Sequence, residues 1–175
     1  MQNLSIIVTC EEQETQLRSL LPQLLSLQYG GEYEVIVVDK LHDKDIEEWL
    51  EDMEIQYPHL THTFCSTTAR GVDIDKLALT LGAKAANYDW LVIVPVDVKL
   101  PSEDWLQKLT TQLDDESDIR VGITDCKRRW NWFRSYIFRR RFSLYRPTSS
   151  LIFCRRNSLL QGQVIKLSSS QIVKL

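Results

Sequence analysis

Three short runs, "LSIIVTC" (4–10), "YEVIVVDK" (33–40) and "WLVIVPV" (90–96), are apolar at nearly every position rather than at every second one. A strand can be apolar on both sides only where both of its faces are covered, as in a parallel sheet packed between helices. The intervening segments supply such helices. "QETQLRSLLPQLLSL" (13–27) carries leucines at 17, 20, 21, 24, 25 and 27, a helical period. "DKDIEEWLEDMEIQY" (43–57) puts Ile46, Trp49, Leu50 and Met53 on one face of an acidic helix, and "DIDKLALTLGAKAAN" (73–87) does the same with Leu77, Leu81 and Ala85. Pro22 predicts a kink or a restart inside the first helix. Further strands are expected at 60–66 and 119–125, and a further helix from 102 to 113, with Ser102 as N-cap and Asp104 in its first turn. Five strands with interleaved helices predict an α/β fold: an open, mostly parallel, doubly wound, Rossmann-like sheet with helices on both faces and right-handed crossovers.

A chain of 175 residues is about one domain, and its 43% hydrophobic and 26% charged residues are those of an ordinary globular protein. Residues 1–10 run straight into a strand without a basic leader, and no run reaches the ~18 apolar residues of a membrane span. Cys10, Cys65, Cys126 and Cys154 are scattered, with no C-x-x-C. The expectation is reduced thiols and a cytoplasmic location.

Doubly wound sheets hold ligands beyond the carboxyl ends of their strands. Here those ends carry Thr9 to Glu12, Asp39 and Asp97, and neither G-x-G-x-x-G nor G-x-x-x-x-G-K-[ST] follows the first strand. Acids at strand ends without a glycine loop suit a ribose hydroxyl, a base edge or a metal bridging phosphates. His59-x-x-His62-x-x-Cys65 invites a metal reading, but a spacing of three along a strand sends successive side chains to opposite faces, so no metal is expected there.

The order of these segments resembles family 2 glycosyltransferases, inverting enzymes of the GT-A fold. "SIIVTCEEQETQLRSLLPQLLSLQYGGEYEVIVVDK" is similar to the family's opening, "KLALTLGAKAA" (76–86) to its lysine followed by Ala-Leu-Asn-x-Gly, and "LVIVPVDVKLP" to the strand ending in Asp-x-Asp. "SSLIFCRRNSL" (149–159) is similar to the later Gly-Ala-Asn-x-Ala-x-Arg-Arg stretch. The resemblance spans residues 4–162 in order. It implies a nucleoside-diphosphate sugar as donor, with Thr9 and Glu12 lining the base pocket and Asp39 accepting a hydrogen bond from the base. Arg70, Gly71 and Lys76 would border base and diphosphate. Asp97 matches the second aspartate of Asp-x-Asp and would hold a divalent metal, Mn²⁺ or Mg²⁺, on the diphosphate.

The chain departs from the pattern as well. Pro95 stands in place of the motif's first aspartate, Lys40 in place of the second acid of Val-Asp-Asp, and Thr80 in place of the asparagine. The later acidic motif that supplies the family's general base has no counterpart; after Gly162 the chain reads "QVIKLSSSQIVKL". The catalytic residue is therefore unassigned. The alternative to an active transferase is a degenerate or truncated domain that binds nucleotide or membrane without catalysis.

Charge divides the chain into a nucleotide-sugar-binding α/β part, 1–125, and a basic aromatic segment with its C-terminal extension, 126–175. Residues 127–146 hold eight of the 21 basic residues and none of the 24 acidic ones, interleaved with Trp130, Trp132, Phe133, Tyr136, Phe138, Phe142 and Tyr145. Such a segment suits an anionic membrane surface or a lipid-linked acceptor, and hence a peripheral position at the inner face of the membrane. It would also suit single-stranded nucleic acid, or packing over the sheet. The acidic remainder disfavours nucleic acid.

Overall fold

The computed structural model describes residues 2–65, 73–100, 102–111, 119–123, 150–161 and 172–174. The described elements run β1 (Leu4–Cys10), α1 (Glu14–Leu25), β2 (Tyr33–Asp39), α2 (Lys44–Gln56), β3 (Leu60–Phe64), α3 (Ile74–Ala85), β4 (Trp90–Pro95), α4 (Trp105–Thr110), β5 (Ile119–Ile123), β6 (Ser150–Arg155), α5 (Arg156–Leu160) and β7 (Ile172–Lys174). They form one sheet in the order β3-β2-β1-β4-β6-β5-β7. β3, β2, β1 and β4 are parallel neighbours. β6 lies antiparallel between β4 and β5, and β7 is parallel to β5.

Alternating side chains explain the two-sided burial. Leu4, Ile6 and Val8 of β1 and Val35 and Val37 of β2 pack with the leucines of α1, Ile46 and Leu50 of α2, and Trp105 and Leu106 of α4. Their neighbours Ile7, Ile36, Val38, Leu91 and Ile93 form a second cluster with Ala78 and Ala83 of α3. The sheet is thus covered on both faces, the doubly wound arrangement that the apolar runs predict.

Asp43 caps α2 by accepting from the Asp45 N–H at 2.9 Å, and Asp73 caps α3 by accepting from the N–H groups of Asp75 and Lys76. The expected restart at Pro22 does not occur: α1 is one helix across it. Proline in a helix interior costs about 3 kcal/mol. Leu17, Leu20, Leu21, Leu24 and Leu25 are all buried, and each contributes roughly 1.5–3 kcal/mol, so packing prevails. Nor does Ser102 cap the following helix, which begins only at Trp105; its hydroxyl donates to Asp104 Oδ1 at 2.6 Å.

The amino-terminal end of the sheet is clasped by Glu34, a residue only 8% exposed. It accepts from Ser5 Oγ at 2.6 Å, from the Asn87 N–H at 2.7 Å and from Asn87 Nδ2 at 2.6 Å. This ties the α3–β4 connection to β1 and β2. Arg155 extends the clasp towards β6, pairing with Asp89 at 2.9 Å and lying over the Trp90 ring at 4.3 Å.

Candidate functional site

The connections of the sheet place its switch point at the other end. From β1 the chain moves outward to β2 and β3 by way of α1 and α2 on one face. α3, on the opposite face, then returns it past β2 and β1 to β4. Strand order therefore reverses between β1 and β4, and ligands of open α/β sheets lie at such a switch point.

Three of the residues singled out in the sequence converge there. Thr9 stands in register with Val38 of β2 and Pro95 of β4, Asp39 stands opposite Cys10, and Asp97 lies two residues past the end of β4. With neighbouring strands about 4.8 Å apart, the ends of β2, β1 and β4 span about 10 Å. Glu12, in the β1–α1 turn, and Lys76, in the first turn of α3, are both exposed. Arg70 and Gly71 lie outside the described residues.

Asp39 is 4% exposed and already has backbone partners. Oδ1 accepts from the Leu41 N–H at 2.9 Å and Oδ2 from the Asp43 N–H at 2.6 Å. The aspartate thereby shapes the turn into α2, in which His42 takes a positive φ of 56°. A carboxylate offers about four acceptor sites, so two remain for a ligand. Burial, and next the charge of Asp39, push the neighbouring Cys10 thiol up to about 12, so that it stays protonated at neutral pH.

Asp97 differs in every respect. It is exposed, in a turn closed by the Val98 N–H donating to Pro95 O at 3.1 Å, and its carboxylate has no hydrogen bond or ion pair among the described residues. One unengaged hard-oxygen ligand is the kind of group that suits Mg²⁺ or Mn²⁺, which take one or two protein carboxylates and complete their shell with water and phosphate.

Two groupings were not foreseen from the sequence. Lys40 Nζ pairs with Asp75 Oδ1 at 2.5 Å and with Glu11 Oε2 at 3.4 Å, and its side chain is 12% exposed. Burial alone would lower its pKa, but the hydrogen bond and charge of Asp75, with Glu11, hold it above the ordinary lysine value. The sequence signal was a cation directly after the last acid of an apolar strand. The second grouping brings Glu47, Glu51 and His62 ligand atoms within 4.8 Å of one another over β3. There His62 Nδ1 is hydrogen-bonded to Glu54 at 2.8 Å, and His42 to Glu47 at 3.2 Å. His59 instead packs edge-on between Tyr33 and Tyr57.

Comparison with known proteins agrees with this architecture. The family model of glycosyl transferase family 2 matches residues 5–166. A mannosyltransferase from Pyrobaculum calidifontis, in complex with GDP-Man and Mn²⁺, is 20% identical with a TM-score of 0.56, over 70% of this chain and 35% of that one. S. aureus TarS 1-349 with UDP-GlcNAc is 18% identical, TM-score 0.61, over 99% and 56% of the respective chains. Glucosyl-3-phosphoglycerate synthase from Mycobacterium tuberculosis, with Mn²⁺, UDP and glucosyl-3-phosphoglycerate, is 16% identical, TM-score 0.61, over 99% and 69%. No curated protein sequence is a significant match. The chain spans about a third of the mannosyltransferase and a fifth of the longer TarS structure. Among the described residues no helix is long and apolar enough to cross a membrane.

Proposed function

The chain belongs to glycosyl transferase family 2, and from that membership we propose that it binds the nucleoside diphosphate of a sugar donor across the ends of β2, β1 and β4. The sugar is then transferred, with inversion, to an acceptor hydroxyl. The observation that carries this reading is the convergence of Thr9, Asp39 and Asp97 on the switch point between β1 and β4. Bound GDP-Man, UDP-GlcNAc and UDP in the similar structures support it.

In this reading the spare acceptor sites of Asp39 take an N–H of the base, while Thr9 and Glu12 line the base pocket. Lys76, with Arg70 and Gly71, borders base and diphosphate. Asp97 holds Mn²⁺ or Mg²⁺ on the diphosphate, and that ion, when bound, neutralises charge on the leaving group. The proposed acceptor is lipid-linked or presented at an anionic membrane surface, met through residues 127–146, which lie outside the described residues. Each Lys or Arg near such a surface is worth about 1 kcal/mol. Co-sedimentation with anionic vesicles should therefore disappear when Arg139, Arg140 and Arg141 become Glu. Retention of the triple variant on those vesicles would remove the membrane from the proposal.

The metal assignment has its own test. Pro95 has no side-chain ligand atom where the family motif has its first aspartate, so Asp97 is the motif's one remaining carboxylate. Asp97→Asn should make nucleotide affinity independent of Mn²⁺ while the wild type gains at least about tenfold from it. Wild-type binding that ignores Mn²⁺ would refute the assignment. Pro95 also favours a second reading, a domain that binds nucleotide without transferring sugar. Release of nucleoside diphosphate from a donor sugar in the presence of acceptor separates the two.

A further inference from the structure

We infer that Lys40 is a positioning residue of the donor site, a latch that holds its two walls at a fixed distance. One wall is the β1–α1 turn, which carries Glu11 and Glu12; the other is the first turn of α3, which carries Asp75 and Lys76. They come from separate parts of the chain and from opposite sides of β2's end. Lys40 joins them through its ion pairs to Glu11 and Asp75. Its own backbone is anchored too, the Lys40 N–H donating to Cys10 O at 2.9 Å and the Cys65 N–H donating to Asp39 O at 2.8 Å.

The geometry sets this contact apart from an ordinary surface pair. Exposed ion pairs contribute little because water screens both partners and two mobile side chains must be ordered. Here the lysine is drawn in to 12% exposure while Glu11 and Asp75 stay about half exposed, so one ordered cation serves two acids. Its location matters as well. The two acids that Lys40 pairs with stand on different walls. Without it, Glu11 and Asp75 repel each other and part the walls that the ligand has to bridge.

The inference rests on the proposed nucleotide site, and the experiment separates the two. Hydrogen exchange on peptides covering residues 9–15 and 73–80 reads the latch without any ligand. Titration of uridine, UMP and UDP, and of the guanosine series, reads the site. Lys40→Met should speed exchange in both peptides by about tenfold, leave β1 and β4 core amides unchanged, and weaken nucleotide binding by about tenfold. Asp75→Asn, which breaks the link to α3 and leaves the Lys40–Glu11 pair, should speed exchange in the 73–80 peptide, and the double variant should go no further than Lys40→Met alone. Lys40→Arg should restore both readouts. A latch shapes the pocket for every ligand alike, so the affinity loss should be equal for nucleoside and diphosphate. A loss growing with phosphate number would overturn the inference by making Lys40 a direct phosphate ligand, as would unchanged exchange in Lys40→Met. Failure of the wild type to bind any nucleotide would overturn the proposed function and with it a donor-site role for Lys40, whatever the exchange shows.

Discussion

Asp39→Ala is expected to lower the unfolding free energy by about 3 kcal/mol and to weaken nucleotide binding by at least about tenfold. The stability loss follows from two charge-assisted hydrogen bonds, to the N–H groups of Leu41 and Asp43, made by a carboxylate that is 4% exposed. Each such bond contributes about 1.5–3 kcal/mol, and removing the acceptor leaves two donors to find water at the head of α2. The affinity loss follows from the remaining acceptor sites of the same carboxylate, proposed to meet the base. Denaturant titration and calorimetric nucleotide titration, both below the variant's melting point, measure the two effects. A variant that loses stability yet binds normally would leave Asp39 a turn-forming acid only.

Glu34→Ala should cost as much or more, about 3–4 kcal/mol, with no effect on nucleotide binding. Three donors converge on this carboxylate at 2.6–2.7 Å, and Ser5, one of them, is fully buried. Deleting the acceptor leaves the buried Ser5 hydroxyl without a partner and turns the donors of the exposed Asn87 to water, and each lost bond to a charged group costs about 1.5–3 kcal/mol. At roughly 2–4 °C per kcal/mol for a chain of this size, the midpoint should fall by about 10 °C. Glu34 lies at the amino-terminal end of the sheet, opposite the candidate site. It therefore serves as the control for Asp39→Ala: similar destabilisation, unchanged affinity. A loss of affinity in Glu34→Ala would mean that stability alone governs binding. A melting point within ~2 °C of wild type would remove Glu34 from the fold's support.

The parts of the fold legible in the sequence were those specified locally. β1, β2 and β4 announce themselves because both of their faces are buried, and α2 and α3 begin at Asp43 and Asp73, aspartates that cap them. β6 was not legible as a neighbour of β4, since "SLIFCR" is short and its antiparallel pairing joins distant parts of the chain. β5, expected as the closing strand, is consequently one place further out, and the three-residue β7 carries too little pattern to read. Glu34 was visible as an acid inside an apolar run, but whether it faced water or three donors depended on Asn87, far along the chain. The same limit applied to the site. The strand-end positions of Thr9, Asp39 and Asp97 followed from strand grammar, whereas the turn-forming bonds of Asp39 and the double pairing of Lys40 depend on side-chain directions that spacing does not encode.

The central claim is that a nucleotide binds at the strand ends flanking the switch point between β1 and β4, and amide chemical shifts test it most directly. UDP, GDP and dTDP are each titrated into the isotope-labelled chain with Mg²⁺ present. The account predicts that at least one of them shifts amides at residues 9–12, 39–43 and 97–99, while those around Glu34 and Asn87 stay in place. Saturable shifts confined to any other surface, or none with all three nucleotides, would contradict it.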